Sequence, residues 1–584
     1  MIWKHARRQA ILIDGDRRSS VFMAQSRLSI LGVCFALGYL LVMVRLLDLA
    51  VVQNESLFQE PSMSVAVAKA QDIKSLTPRR GDIYDRHGFL LATTLKTPSL
   101  FVDPSLVFDE AFLSASLMKI IPDLDRLKIS SVMQGKNRFG WIAHNITPAQ
   151  QQAVLEIGDP SLGFKYEYKR VYPQGALFAH LVGYTDRDGL GLAGIERGYD
   201  DVLSAGEDVH LSLDLRLQHV VRRELGRAMD EFTAKAGSGI ILDVHTGEVL
   251  AGVSLPDFDL NAAGDAKDRE IFNRLTLGVY ELGSMFKIFS TAALLELHNV
   301  PMSKTFDARK PLKIGRFTIS DYHAKKRILT IPEVFMYSSN IGSALMGQMI
   351  GGKALRAFYA DLGLLDAMRF DIREIGRPIV PKVWRKSTTL TASYGHGLAT
   401  TPLQMSAAVA SIVNGGMAVR PVLVKVDEDA IAQVKTDVRV ISEETSEKMR
   451  KLLRLVVTKG TGRNADVKGY ALGGKTGTAE KSVGGYYRRD KLISSFVGAF
   501  PMDNPRYVLM VMVDEPHGNK KSYGYATAGW VAAPAVKRIL TSMASILGLP
   551  ADQYDADNDM AASLEPYLHD KKKKKIGGKS LVSY

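Results

Sequence analysis

The first feature along the chain is an uncharged run rather than a periodic one: Leu28 to Val44 carries no charge between Arg27 and Arg45. At roughly 17 residues it reaches the lower limit for a helix crossing a hydrocarbon core. From about Asn54 to Asp230, short alternating runs are broken by Gly/Asp turn signals, including Arg79-Arg80-Gly81-Asp82-Ile83-Tyr84-Asp85-Arg86-His87-Gly88 and Gly194-Ile195-Glu196-Arg197. Ser238 to Asp243, then His245-Thr246-Gly247, then Glu248 to Ser254 predict a strand, a turn and a returning strand. Helical spacing follows from Ser284 to about Leu297, around Ser338 to Met349 and from Thr401 to Val413. Tyr470 to Thr478, Ser494 to Phe500 and Arg506 to Asp514 read as strands, the last two joined by the turn-rich Pro501-Met502-Asp503-Asn504-Pro505. An amphipathic helix is predicted from about Ala532 to Leu547.

Strands at both ends of a region with helices between them predict an α+β domain: one antiparallel sheet completed by the two ends of the region, with helical layers packed on it. A chain of 584 residues with 46% hydrophobic content divides into two or three globular units rather than one. The expected organisation is a tail at 1–27, an anchor at 28–52, an N-terminal module at 53–230, the α+β domain at 231–550 and a polar, Lys-rich tail at 551–584.

Charge orients the anchor. Lys4, Arg7, Arg8, Arg17, Arg18 and Arg27 precede it against Asp14 and Asp16, which puts the N-terminus in the cytoplasm and everything after Arg45 outside. The run is longer than a usual signal-peptide core, and the nearest A-x-A sequence, Ala66-Val67-Ala68, is too far downstream for cleavage, so the anchor is read as retained. The 75 Lys and Arg against 62 Asp and Glu give a formal +13, which suits anionic surfaces without selecting one. Part of that excess is the run Lys571 to Lys575, read as a solvated end. The single cysteine, Cys34, lies within the apolar run, so no intramolecular disulfide or thiolate metal site can form outside it. The histidines form no H-E-x-x-H, and G-x-G-x-x-G after a strand and G-x-x-x-x-G-K-[ST] are both absent. No metal, no cofactor and no nucleic-acid partner are expected.

Three short motifs occur in order: Ser284-Met285-Phe286-Lys287, Ser338-Ser339-Asn340 and Lys475-Thr476-Gly477, followed by Thr478. Each alone is common; the combination is informative. On a helix, residues i and i+3 share a face, so the Lys287 amine can reach the Ser284 hydroxyl. An ordinary helix cap accounts for Ser284 but not for Lys287, a cation among Met285, Phe286, Ile288 and Phe289. A lysine base must be neutral, and burial beside a second cation such as Lys475 lowers its pKa from the usual value of about 10.4. Gly477 permits close backbone approach, and the N–H of Thr478 can pair with that of Ser284 as an oxyanion hole. Thr476 and Thr478 would present hydroxyls to a substrate carboxylate.

This set resembles the penicillin-interacting serine acyltransferases. Ser338-Ser339-Asn340 is similar to the class B penicillin-binding proteins rather than to class A β-lactamases, which carry S-D-N. The likeness extends to Tyr280-Glu281-Leu282-Gly283 ahead of Ser284, to Asp243 to Leu250, to Ser393-Tyr394-Gly395-His396-Gly397, to Thr401-Pro402-Leu403-Gln404, and upstream to Arg80 to Gly88 and Gly194 to Arg197. Within class B, Tyr337 to Gly342 and the single-span anchor resemble the division-specific, FtsI-type branch. Leu282 departs from a position often proline in the family, and His396 from one often tyrosine.

The resemblance implies a penicillin-binding/β-lactamase-like transpeptidase domain with an N-terminal pedestal of the dimerisation type. It implies that Ser284, activated by Lys287, attacks the D-Ala–D-Ala bond of a peptidoglycan stem peptide, and that an amine from a neighbouring stem then accepts the acyl group. Ser338 would relay the proton, Asn340 hold the substrate amide, and Lys475, Thr476, Gly477 and Thr478 shape the electrostatics and bind the carboxylate. Implied partners are stem peptides, β-lactams as covalent inhibitors, the cytoplasmic membrane, an FtsW-type glycan polymerase and other division proteins. Competing readings are an elongation-type transpeptidase, a carboxypeptidase or β-lactamase-like hydrolase, and an inactive scaffold or β-lactam sensor. The three motifs together argue against a scaffold, and a sensor would need an output domain that a tail of 27 residues cannot supply.

Overall fold

Three strands explain why the centre of the molecule is a sheet covered on both faces. Ala236–Asp243 (β6), Val249–Leu255 (β7) and Tyr507–Asp514 (β14) are buried at every position. Such runs lack polar alternation because neither face meets water. A computed structural model describes residues 35–40, 42–43, 79–315, 317–426, 438–484, 486–551 and 559–569. In it, Gly473–Val483 (β12) and Tyr486–Phe500 (β13) complete a five-stranded sheet of order β12-β13-β14-β6-β7, antiparallel throughout. The expected α+β architecture is present, with strands from both ends of the region meeting where β14 pairs with β6.

Before this sheet comes a smaller one. The 13-residue strand Leu90–Val102 (β2) pairs with Ile83–Tyr84 (β1), Gly140–Ala143 (β3) and, along most of its length, Leu162–Val171 (β4); β1 also pairs in parallel with Val209–His210 (β5). Helices Glu110–Ile120 (α1), Arg126–Met133 (α2) and Pro148–Leu155 (α3) enclose a separate small core around Leu100, Leu113 and Ile129. The two upstream segments singled out in the sequence meet here. Arg80 Nε and Arg170 Nε each lie 2.7 Å from the Glu196 carboxylate, which has no exposed surface. Such a buried charge is held by its partners, and losing one leaves it uncompensated.

Leu215–Glu231 (α4) and Ala532–Ile546 (α10) pack together on one face of the central sheet. Lys287–His298 (α5), Pro402–Val413 (α8) and Glu443–Thr458 (α9) contribute to the core on the other. Between them lie two short hairpin-like pairs, Thr305–Asp307 (β8) with Ile328–Thr330 (β11) and Leu312–Ile314 (β9) with Phe317–Ile319 (β10), then Ile331–Tyr337 (α6) and Asn340–Ile350 (α7).

Two boundaries differ from expectation. The helix expected from Ser338 is two helices broken at that residue, because Ser338 adopts a left-handed conformation (φ 59°, ψ 44°) that ends α6, and Ser339 caps α7. The strand expected to end at Thr478 continues to Val483 and pairs with a β13 that begins at Tyr486. The distal part of this ribbon is solvated, so its residues show no alternation that a period-two pattern could register.

Of the expected anchor, only residues 35–40 and 42–43 are described; they are helical and exposed. The rest of Leu28 to Val44, and Lys571 to Lys575, lie outside the described residues. Among the described residues no helix is long and apolar enough to cross a membrane.

Candidate active site

The turn Gly283–Phe286 is 3₁₀ and runs directly into α5, so Ser284 stands one turn ahead of the α-helix that begins with Lys287. Gly283 enters with φ +54°, and a Cβ on Gly395 (φ +86°) would stand 2.0 Å from the Gly283 carbonyl oxygen. Two glycine backbones therefore abut, which sets Tyr394-Gly395-His396 against the turn that carries Ser284.

Lys287 has no exposed surface. Its Nζ lies 3.0 Å from Ser284 Oγ, 2.6 Å from the Ser338 carbonyl oxygen, 3.0 Å from Ser338 Oγ and 2.7 Å from Asn340 Oδ1. Two of those partners, the Ser338 carbonyl and Asn340 Oδ1, can only accept. A neutral amine has two N–H groups to give them, which leaves its lone pair for a hydroxyl. Asn340 is oriented for this by Nδ2, which donates to the Ser320 carbonyl at 3.0 Å.

Ser338 owes its position to strained backbone. A left-handed non-glycine residue costs about 1–2 kcal/mol, and the surrounding bonds hold it. The Ser339 N–H donates to the Val334 carbonyl at 2.9 Å, while Ser339 Oγ accepts from Gly342 N and donates to Asp321 Oδ2 at 2.7 Å. Asp321 Oδ1 also accepts from Ile341 N at 3.0 Å. The outcome is a hydroxyl between two amines, because Lys475 Nζ reaches Ser338 Oγ at 2.9 Å.

Lys475 is fully buried on β12, the edge strand, and its amine also approaches the Thr476 carbonyl at 3.3 Å. Gly477 lets this edge pass beneath the turn before Ser284, since a Cβ there would stand 2.5 Å from the Leu282 carbonyl oxygen. Thr476 Oγ1 lies 2.6 Å from Thr461 Oγ1, and Thr478 Oγ1 accepts from Ala528 N at 3.0 Å. All the residues singled out in the three motifs thus lie at one place.

Burial, reinforced by the neighbouring Lys475 charge and opposed by Asp321, pushes the Lys287 pKa well below the ordinary lysine range. Burial alone brings Lys475 down to about 7. His396 is lowered as well, by burial and then by Lys287. A buried amine whose proton is held far less tightly than an ordinary lysine's, against a serine hydroxyl, can act as a base. Among the described residues no group of His, Cys, Asp and Glu is arranged to hold a metal.

Four participants were not legible in the motifs. Asp321 and Ser320 sit some twenty positions before the residues they hold, in a polar loop, and Thr461 faces Thr476 from a glycine-rich turn after α9. Glu281, whose carboxyl is raised by burial, accepts at 3.1 Å from the OH of Tyr487, which lies near the tip of the β12–β13 ribbon. No fixed spacing announces Asp321, Ser320 or Thr461, and although Glu281 lies in the segment just ahead of Ser284, nothing in that segment marks its carboxyl as part of the site.

Residues 237–541 match the model of the penicillin binding protein transpeptidase domain. The chain belongs to the penicillin-binding proteins. Residues 75–212 match the penicillin-binding protein dimerisation domain, which makes it a class B member. A relative described as a probable peptidoglycan D,D-transpeptidase FtsI, from Caulobacter vibrioides, is 39% identical over 484 residues, covering 80% of this chain and 82% of its own. The peptidoglycan D,D-transpeptidase FtsI of Escherichia coli is 28% identical over 564 residues, covering 90% and 92%. Among solved structures, penicillin binding protein 3 of Mycobacterium tuberculosis, complexed with aztreonam, aligns with a TM-score of 0.65 at 26% identity, over 81% of this chain and 97% of that one. This penicillin-binding protein keeps the transpeptidase fold together with the pedestal, as its motifs led one to expect.

Proposed function

We propose that the protein is a peptidoglycan D,D-transpeptidase of the FtsI type, which cross-links wall stem peptides through a serine acyl-enzyme during septal wall synthesis. The observation that carries this reading is the hydrogen-bonded chain Ser284–Lys287–Ser338–Lys475, with each amine buried and easily deprotonated.

Neutral Lys287 takes the Ser284 hydroxyl proton as Oγ attacks the carbonyl carbon of the penultimate D-alanine. The backbone N–H groups of Ser284 and Thr478 stabilise the oxyanion. As the C–N bond breaks, the proton passes from Lys287 through Ser338 to the departing D-alanine amine, and the acyl group remains on Ser284. An amine of a neighbouring stem peptide then attacks this ester and loses a proton to Lys287, and Ser284 Oγ is reprotonated on departure. Asn340 orients the substrate amide, and Lys475 with Thr476, Gly477 and Thr478 binds the carboxylate. A β-lactam enters the first half of this sequence and acylates Ser284.

The division proposed for the chain is a cytoplasmic tail at 1–27, an anchor at 28–52, a pedestal at 53–230, the transpeptidase domain at 231–550 and a Lys-rich tail at 551–584. The uncharged run Leu28 to Val44 behind a basic flank supports a single span in the cytoplasmic membrane with the transpeptidase domain on the periplasmic side. Anchor and pedestal are then the surfaces for an FtsW-type glycan polymerase and other division proteins.

The test is intact-mass analysis after incubation with penicillin. One adduct, absent from Ser284→Ala and persisting for many minutes, is the expected result. No adduct on folded protein overturns the reading, and rapid drug turnover replaces it with a hydrolase.

A further inference from the structure

Residues 559–569 lie across two elements that lead into the site from opposite sides. On one side is Glu333, in the first turn of α6, with no exposed side-chain surface. Its carboxylate accepts from Arg327 at 2.8 and 2.9 Å, from Thr330 N at 3.1 Å and from His569 N at 2.7 Å, and lies 3.0 Å from His569 Nδ1. Thr330 Oγ1 donates to the Tyr567 carbonyl at 2.8 Å. The helix so held has seven residues and ends at Tyr337, immediately before Ser338. On the other side, Glu565 pairs with Lys459 just past the end of α9, two residues before Thr461, whose hydroxyl meets Thr476. Asp559 pairs with Arg454 at 2.8 Å, and Arg454 also donates to the carbonyl of Leu472, the residue before β12 begins. Between these polar ties, Ala561 and Leu564 are buried in the same apolar core as α5.

The two arms touch each other beneath the strap. A Cβ on Gly460 would stand 2.8 Å from the Met336 carbonyl oxygen, so their separation has no slack. A helix of seven residues has little stability of its own and takes its place from what it packs against. Two of the five contacts to the buried Glu333 carboxylate come from His569, and a buried carboxylate stripped of partners reorganises its surroundings.

We propose that residues 559–569 form a positioning strap for acylation, holding the helix that ends at Ser338 and the turn that carries Thr461 at the spacing in which Lys475 reaches Ser338. The proposal rests on the acyl-enzyme reading above. His569, Glu565 and Leu564 touch no reacting atom; they act through Ser338 and Thr476.

The experiment uses the full-length chain in detergent and a fluorescent penicillin. The concentration dependence of labelling separates the first-order acylation constant from the pre-acylation dissociation constant. Four proteins are compared: wild type, a chain ending at His569, a chain ending at Ala551, and the double variant Glu565→Ala/His569→Pro, in which proline removes both the backbone N–H and the imidazole that meet Glu333. Displacements of about 1 Å at a reacting group cost on the order of a hundredfold in rate. The chain ending at Ala551 should therefore acylate at least about tenfold more slowly, with a smaller change in the dissociation constant through Thr476, and the rate should be restored by a synthetic peptide of residues 559–569. The chain ending at His569 should match wild type, and the double variant should show the same split if the Ala551 chain does not fold. Wild-type rates in the folded double variant overturn the strap, as does a rate loss that tracks thermal stability and does not respond to the peptide. Failure of wild type itself to acylate instead removes the reading on which the strap rests.

Discussion

Replacing Lys475 with methionine should make the fold more stable while abolishing acylation, and the gain should vanish at high pH. The Lys475 amine has no exposed surface, and burial lowers its pKa from the ordinary 10.5 to about 7. A tenfold change in proton affinity corresponds to about 1.36 kcal/mol, so a full charge at this place costs about 5 kcal/mol relative to the unfolded chain. At pH 7 the folded site is about half protonated while the unfolded lysine is fully so. Between about pH 7 and 10.5 the unfolded state binds more protons, and the stability of the wild-type fold rises with pH. The amine's bonds to Ser338 Oγ and the Thr476 carbonyl offset part of the cost, at about 1 kcal/mol each. Methionine is similar in length and uncharged, which leaves a net gain of about 2–3 kcal/mol at pH 7. At about 2 °C per kcal/mol in a domain of this size, Tm should rise by about 5 °C. Scanning calorimetry at pH 7 and pH 10, beside penicillin labelling of the same preparations, makes the comparison. An unchanged or lower Tm at pH 7, or an equal gain at both pH values, refutes the electrostatic argument. A retained penicillin adduct removes Lys475 from the chemistry.

Asp321→Ala removes the acceptor for Ser339 Oγ and Ile341 N and should cost about 1–3 kcal/mol in denaturant unfolding. Because Asp321 raises the Lys287 pKa, its loss should also move the rise of acylation rate with pH to lower pH, since the amine becomes neutral earlier; a pH–rate profile that does not move would separate Asp321 from the base. Gly395→Ala places a Cβ 2.0 Å from the Gly283 carbonyl oxygen at φ +86° and should lower Tm and acylation together. Wild-type labelling by that variant would show that the two glycine backbones need not abut.

The chain's own pattern determined much of this protein. The runs Ile240 to Leu242, Val249 to Val253 and Tyr507 to Val513 carry no charge because both faces of their sheet are covered, and that signal is local, so the strands could be read directly. Motifs are local too, and Lys287 among Met285, Phe286, Ile288 and Phe289 announced an amine whose burial needed a reason. Tertiary structure decided the rest. The break at Ser338 is held by Asp321 and by bonds back to α6, and no propensity in Tyr337-Ser338-Ser339-Asn340 reports a left-handed serine. Pairing of β14 with β6, the contact of Thr461 with Thr476 and the return of residues 559–569 to Glu333 each join positions far apart in the chain. Short-range periodicity records which face of an element is buried; it carries nothing about which distant residue does the burying, and it is that choice that sets Ser338 between two lysines.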